Sequence, residues 1–395
     1  MINDLINNKQ IEIYLQPIVS IKDKKIFAYE ALTRATDRYG EAVSPLYLFE
    51  QAKKERLSSK LDDYVRELAL VKFQKYYNED ESVLLFLNFE SSIIEGELSN
   101  SFISTVYKHN IATKNIVIEI KEDKIKDTHA LKNFIDMYRK HGFFIAIDDF
   151  GSGYSSFDRL EFIQPEIVKV DRSLIYNIHN NFINSEILSA ISNMCHQIGA
   201  IVLVEGVEDR DEVLACIQKD IDIFQGFWFA KPKDEIDHSL VIDIKKSIQY
   251  IGLKYQSNII ELINKKKLLL ENSQNLTQEV ISILELNGIE NMHKVETIIA
   301  QNPNLQAIYI LNETDGIQVG KTVIHAEDKY LFKPTNSGYD HSLREYYFIA
   351  KDSVRGDYLS TKYISKASGS MCWTYSVKIN IASSHYIVCL DILDY

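Results

Sequence analysis

Cysteine, proline and long apolar runs are all scarce in this chain, and each scarcity removes a class of answer. The 4 cysteines (Cys195, Cys216, Cys372, Cys389) show no CxxC or Cys/His ligand spacing. That excludes a thiolate zinc site, and their apolar neighbours predict small buried residues rather than disulfides. No run approaches the roughly 18 apolar residues of a membrane-spanning helix. The opening MINDLINNKQ has no basic stretch followed by an apolar one, so no signal peptide is expected and the protein is expected in the cytoplasm. Positive charge is also short: 44 Lys+Arg stand against 56 Asp+Glu, a net charge of −12. That excludes a general surface for nucleic-acid polymers or anionic membranes. An acidic protein that handles an anionic substrate must supply local positive charge, and metal ions are one way to do it. What remains is an ordinary globular composition, 46% hydrophobic and 25% charged with only 6 prolines. The length allows two domains, or one large barrel with a smaller partner.

The most informative stretch reads FFIAIDDFGSGYSS, from Phe143 to Ser156. An unbroken apolar run fits a strand buried on both faces. It ends in two adjacent carboxylates, Asp148 and Asp149, whose like charges raise each other's pKa unless a cation neutralises them. Asp, Gly and Ser also favour turns, so this stretch by itself is equally an ordinary strand end.

The surrounding pattern separates the two. Between about residues 11 and 232, eight strand candidates (IEIYLQPIV, IFAYEALTRA, VLLFLNF, IVIEIK, FFIAIDDF, EIVKV, AIVLVEGV, DIFQGFWFA) mostly alternate with helical segments such as ALKNFIDMYRKHG. This predicts an α/β fold of the TIM (β/α)8 barrel type. The first two strands are joined only by SIKDKK, too short for a helix. They read as a hairpin, so the barrel is a modified one with one antiparallel strand. Glu30, Asn88, Glu119, Asp148 and Asp149, Lys169, Glu205 and Gln225 fall in or near the later half of successive strand candidates. In such barrels those ends open onto the one face that carries the chemistry. Any single one reads more simply as a solvated strand end, but seven consecutive strands with the same feature do not. An oxygen-rich donor set free of Cys and His suits Mg²⁺ or Mn²⁺, and two such ions form a phosphodiester-cleaving centre.

The ordered motifs now resemble a family. Gln16-Pro17, Glu30-Ala31-Leu32 within EALTR, Asn88 in LNF, EIKE at 119–122, DDFGSGYSS at 148–156, VKVD at 168–171, EGVE at 205–208 and QGFWFAKP at 225–232 resemble, as a set, the EAL-domain phosphodiesterases that hydrolyse cyclic di-GMP. The resemblance covers roughly residues 5–238. It implies that Glu30, Asn88, Glu119 and Asp148 hold one divalent ion. Asp148 would bridge to a second, held with Asp149 and Glu205. It implies Lys169 at the attacking water or scissile phosphate, Glu205 and Glu208 at the catalytic centre, and Glu122 bracing the loop after the Asp pair. Arg34 matches a phosphate-contacting arginine, with Gln16 and Gln225 as substrate-side amides. The implied reaction is hydrolysis of one phosphodiester of cyclic di-GMP with two divalent ions, Mg²⁺ or Mn²⁺, giving linear pGpG. Ser152 stands where the family usually has threonine, and Phe89-Glu90 where it often has a small apolar residue and serine. No implied ligand is missing, which favours an enzyme over a non-hydrolysing cyclic di-GMP receptor. A phosphodiesterase for another nucleotide is the third reading, since the metal chemistry does not select the base. No GGDEF-like segment occurs, so a fused synthase is not expected.

Past about residue 238 the pattern changes. Residues 239–300 read as a helical linker, with Lys265, Lys266 and Lys267 as a solvated face. From 301 to 395 strand-like runs return, and Asp315-Gly316 marks a turn between two of them. The segment from Leu343 to Ile379 resembles the core of PAS/Cache-type sensor domains, and the arrangement resembles the YkuI-type proteins. Arg344, Tyr347 and Asp391 are candidate lining for a small-ligand pocket there. A packed fold used only for dimerisation is an equal reading. A small-molecule or protein signal at this α+β module and a homodimer are the expected partners, beside cyclic di-GMP.

Overall fold

Eight strands of the first half close into a ring. β1 (Ile11–Ser20) and β2 (Lys25–Thr36) form the hairpin that SIKDKK predicts, paired antiparallel from Ile11↔Ala35 to Ser20↔Lys25. A two-residue β3 (Ala42–Val43) rides on the edge of β2. From β2 the sheet continues in parallel through β4 (Leu84–Asn88), β5 (Ile116–Lys121), β6 (Phe144–Phe150), β7 (Ile167–Val170), β8 (Ile201–Val204) and β9 (Ile223–Gln225). β9 then pairs antiparallel with β1 and closes the barrel, so β1 is its one reversed strand. Parallel neighbours need long crossovers. Helices supply them, among them Thr128–Lys140 before β6 and Phe182–Ile198 before β8. Each of these two is capped by an Asp or Asn side chain, Asp127 and Asn181, that accepts from the first turn.

The barrel interior is floored by one apolar residue from each strand: Ile18, Ala28, Phe86, Val117, Ala146, Ile167, Leu203 and Ile223. A larger cluster fills the space between the strands' outer faces and the helices. The candidate DIFQGFWFA is strand only over Ile223–Gln225. At Gly226 the chain lies against the Val207 backbone so closely that any Cβ would overlap it, and Trp228 N donates to Val207 O (3.0 Å). The strand must turn there.

This computed structural model describes residues 1–96, 99–121, 125, 127–153, 157–324 and 333–393. They divide into two units, Met1–Asn258 and Ile259–Tyr395. The helical stretch after the barrel is one helix, His238–Asn287, followed past Gly288 by a 3₁₀ turn, Ile289–Val295, and a short helix, Glu296–Gln301. The helix's early apolar residues Ile244, Ile248 and Ile251 belong to the first unit's core, and the later Leu269, Val280 and Leu284 to the second's. Lys265, Lys266 and Lys267 are exposed, as expected.

The second unit is an antiparallel sheet of β10 (Leu305–Asn312), β11 (Gln318–Ile324), β12 (Asp357–Leu359), β13 (Tyr363–Ile364), β14 (Met371–Ile381) and β15 (Ser384–Leu393). Its order is β11-β10-β15-β14-β12, with β13 on β14. Asp315-Gly316 makes the β10–β11 turn, with Gly316 at φ 76°. Alternation splits β10 between two cores. Ile308 and Ile310 pack with Val388, Leu390 and the later turns of the long helix. Ala307, Tyr309 and Leu311 pack with Tyr346, Tyr347 and Ala350 of the helix Glu345–Asp352.

Candidate functional site

One layer above the apolar floor, every barrel strand presents a polar residue. Side chains on a strand repeat direction every second residue. Two residues beyond the floor positions therefore stand Glu30, Asn88, Glu119, Asp148, Lys169, Glu205 and Gln225, and on the reversed β1, two residues earlier, Gln16. Seven of the eight line a cleft of about 430 Å³ at the C-terminal end of the parallel strands. The eighth, Glu119, lies fully covered beneath it, 1% exposed.

Lys169 is the centre of the layer. Only 1% exposed, its ammonium lies 3.0 Å from Asp148 Oδ1, 2.5 Å from Glu205 Oε1, 3.8 Å from Glu30 Oε1, and against Glu119 Oε1. Burial works against its charge, but the carboxylates of Asp148, Glu119, Glu205 and Glu30 outweigh it and hold it well above the ordinary lysine range. Burial pushes the Glu119 carboxyl well up, reinforced by the charge of Glu30. It pushes Glu205 to about 8. Asp148 feels the same burial, but Lys169 and then Lys121 outweigh it and hold it below its usual value.

The amides orient the acids. Asn88 Nδ2 donates to Glu30 Oε1 (3.0 Å) and Glu119 Oε2 (2.7 Å), which leaves its carbonyl oxygen as the donor atom toward a ligand. Gln225 Nε2 donates to Glu30 Oε2 (2.6 Å) and Gln16 Oε1 (3.1 Å), and Gln16 Nε2 donates to Ala230 O (3.0 Å).

Adjacent strand residues face opposite sides, so Asp149 should point away from Asp148. It does not, because β6 carries a register shift against β7 between Ile147 and Phe150, and Asp149 sits in the left-handed region at φ 56°. Asp tolerates that region better than most residues, and bulges commonly re-aim side chains beside active sites. Carboxylate oxygens of Asp148, Asp149 and Glu205 thereby lie within 4.8 Å of one another, as do those of Glu30, Glu119 and Glu205. These two groups share Glu205, and their donors are oxygens of hard-cation type. Glu119 Oε1 and Asp148 Oδ1 are buried without a well-directed hydrogen bond, although Lys169 stands beside both. Lone pairs left this way in a cluster of acids fit divalent cations.

The remaining expected residues lie farther out. Glu208 is exposed at the cleft rim and pairs with Arg172 (2.7 Å). Arg34 does not line the acidic cleft. It lines an adjoining one of about 550 Å³ that shares Leu32, Asn88 and Lys121 with it, and its guanidinium lies 5.5 Å from the Tyr14 ring. Glu122 lies outside the described residues. In the second unit, Asp391 is buried, whereas Tyr347 turns its hydroxyl to Glu313 O (2.9 Å).

Two lining residues escaped the sequence reading, Lys121 and Arg172. Lys121 Nζ reaches Asp149 Oδ2 at 2.5 Å and Asp148 Oδ2 at 3.4 Å. Its signal was available: it stands two residues after Glu119 and so faces the same way. Arg172 Nη1 donates to Gly206 O (2.5 Å) and ties the loop after β7 to the loop after β8. Nothing in local sequence pattern marks that role.

The EAL domain family model matches residues 1–232. The EAL-domain protein YkuI of Bacillus subtilis is 22% identical over 375 residues, covering 92% of this chain and 90% of its own. The crystal structure of B. subtilis YkuI, in complex with substrate c-di-GMP and calcium, has a TM-score of 0.80 at 20% identity over 100% of both chains, which shows a shared fold. The cyclic di-GMP phosphodiesterase PdeA of Borreliella burgdorferi is 25% identical over 230 residues, which span 58% of this chain but only 34% of that protein. With the family model spanning more than half of its length, the chain belongs to the EAL-domain family.

Proposed function

We propose that the barrel is a metal-dependent phosphodiesterase that hydrolyses cyclic di-GMP to linear 5′-pGpG. The observation that carries this reading is the complete polar layer, in which four carboxylates surround one fully buried lysine and a fifth, Asp149, pairs with Lys121, with two buried carboxylate oxygens lacking well-directed hydrogen bonds. Glu30, Asn88, Glu119 and Asp148 would hold one divalent ion, and Asp148, Asp149 and Glu205 a second, Mg²⁺ or Mn²⁺ in the cell. Bound there, such ions neutralise charge on a phosphodiester and lower the pKa of water. In the reaction a water oxygen bonds to phosphorus, the P–O3′ bond breaks, and the proton lost by water is matched by the one O3′ gains. Lys169 places a fixed positive charge at the floor of the cleft, where negative charge develops on the phosphate oxygens. Gln16 and Gln225 hold Glu30 in place and face the substrate side. Arg34 and Arg172 supply cations from neighbouring walls, with Glu208 orienting Arg172. Glu122 is read as the residue that braces the loop after the Asp pair.

The second unit is read as a PAS/Cache-type module that senses a small molecule or a protein signal. Counted from β10 and leaving out β13, its strands run 2-1-5-4-3 in one antiparallel sheet with the helix Glu345–Asp352 packed on it. A homodimer in the cytoplasm completes the reading. Among the described residues no helix is long and apolar enough to cross a membrane.

The test is turnover of cyclic di-GMP by the purified chain with Mn²⁺ or Mg²⁺, read as pGpG by chromatography, with light scattering for the dimer. Tight binding without product would replace the enzyme by a receptor. Neither binding nor cleavage would remove cyclic di-GMP as the ligand.

A further inference from the structure

We propose that Lys121 is a tethered cation that competes with the second divalent ion for Asp148 and Asp149, making this ion the weaker of the two and its binding a gated step. The inference rests on the phosphodiesterase reading and adds a residue to it. Lys121 lies at the end of β5, in register with Asp148 of β6. Its ammonium is 2.5 Å from Asp149 Oδ2 and 3.4 Å from Asp148 Oδ2, two of the three acids in the outer oxygen group. Each oxygen group therefore meets a lysine, but the two lysines differ in their freedom to leave. Lys169 is 1% exposed and ringed by four acids. Its stem rises through the barrel interior, with Nζ 5.9 Å from the floor residue Phe86. No rotation takes that charge out of the layer without unpacking the barrel. The Lys121 side chain is 38% exposed and lines both the acidic cleft and the adjoining one.

A flexible four-carbon stem lets the Lys121 ammonium swing from the Asp pair into the adjoining cleft. Arg34 already stands there. An ion arriving at Asp148, Asp149 and Glu205 meets a positive charge that can move away, at a cost in affinity set by the ion pairs it breaks. The displaced ammonium then joins Arg34 on a wall that faces an anionic substrate. Loading of the outer ion and assembly of a cationic substrate wall become one event.

The experiment is Mn²⁺ titration of the metal-free full-length protein by calorimetry, comparing wild type with Lys121→Met and Lys121→Arg. Methionine keeps the apolar stem and removes the charge, and circular dichroism checks that the fold is retained. If methionine misfolds, Lys121→Gln takes its place. The expected wild-type isotherm has a strong and a weak step. In Lys121→Met the weak step tightens by about tenfold or more, as removal of a like charge at contact distance requires, while the strong step moves by less than about threefold. Lys121→Arg keeps the weak step weak. Mn²⁺ also raises the melting temperature more in Lys121→Met than in wild type, because metal-free Lys121→Met has lost one of the two cations at the Asp couple, the one at Asp149. An unchanged or weakened second step in Lys121→Met would overturn the role of Lys121 while leaving a two-ion site standing. No Mn²⁺ uptake by wild type or variant would overturn both this role and the metal-dependent reading beneath it.

Discussion

Two parts of this molecule bury carboxylates, and they solve the problem differently. In the second unit Asp391 is 1% exposed and, among the described residues, takes its hydrogen bonds from neutral hydroxyls. Ser365 Oγ donates at 2.5 Å, Thr374 Oγ1 at 2.8 Å, Tyr309 at 3.2 Å and Tyr363 at 3.4 Å. Both of its oxygens are served, and burial pushes its pKa up. At the barrel mouth, five acids share two lysines and buried oxygens are left without well-directed hydrogen bonds. A buried acid whose lone pairs the fold itself satisfies belongs to the architecture. Acids held together mainly by the point charges of two lysines, with amides serving only Glu30 and Glu119, keep lone pairs for an ion, and the layer is organised for ligands more than for stability.

The contrast breaks most sharply at Asp148. Asp148→Ala or Glu30→Ala is expected to cut pGpG production by about a thousandfold or more, the loss of several kcal/mol of metal-supplied stabilisation. Chromatography of the product checks this, and wild-type turnover in either variant would remove the layer from catalysis. The next effect is on stability. Lys169→Met leaves four acids facing one another and should cost the metal-free protein about 3–5 kcal/mol in urea denaturation, partly recovered by Mn²⁺. A Lys169→Met protein as stable as wild type without metal would show that the acids need no cation.

The second unit should lose stability as well, but with no effect on metal binding. Asp391→Asn puts an amide donor among four hydroxyl donors, so a loss of about 1–3 kcal/mol is expected, with the Mn²⁺ isotherm of the barrel unchanged. A shifted isotherm would mean that the two regions are not independent.

The smallest effect is a pH dependence at His341, which bonds Tyr346 OH (2.8 Å) and Gln318 Oε1 (3.0 Å) and stacks on Tyr309. Burial, then the nearby charge of Arg344, lowers its pKa from 6.5 to about 4. The unfolded chain binds this proton first as pH falls. The stability it contributes is therefore whole above pH 6.5 and is lost on the way down to about 4. The loss is at most about 3 kcal/mol across that window. Melting curves across that window should flatten in His341→Gln, and an unaltered slope would assign the dependence to other groups.

Much of this was legible in the sequence because a barrel strand is short and its polar end is conspicuous. The antiparallel hairpin followed from a connection too short for a helix, and the Asp315-Gly316 turn from its residue types. Seven of the eight strand-end residues of the layer were visible as polar interruptions of apolar runs. Gln16 was known by its resemblance alone, since on the reversed β1 it precedes its floor residue. DIFQGFWFA overran its strand because the stop at Gly226 is made by the backbone of Val207, distant in sequence.

By itself, then, the sequence determined the order of strands and which residue types meet at their ends. Both depend on local periodicity and on the side-chain alternation of a strand. Only the tertiary structure decided which charges touch. Closure of β9 onto β1 makes one ring of eight residues that come from positions 16 to 225. The shifted register of β6 turns Asp149 to the same side as Asp148 against the rule of alternation. The reach of Lys121 across to β6 makes it a partner of the Asp pair. Each of these is a long-range distance, fixed by packing and charge across strands.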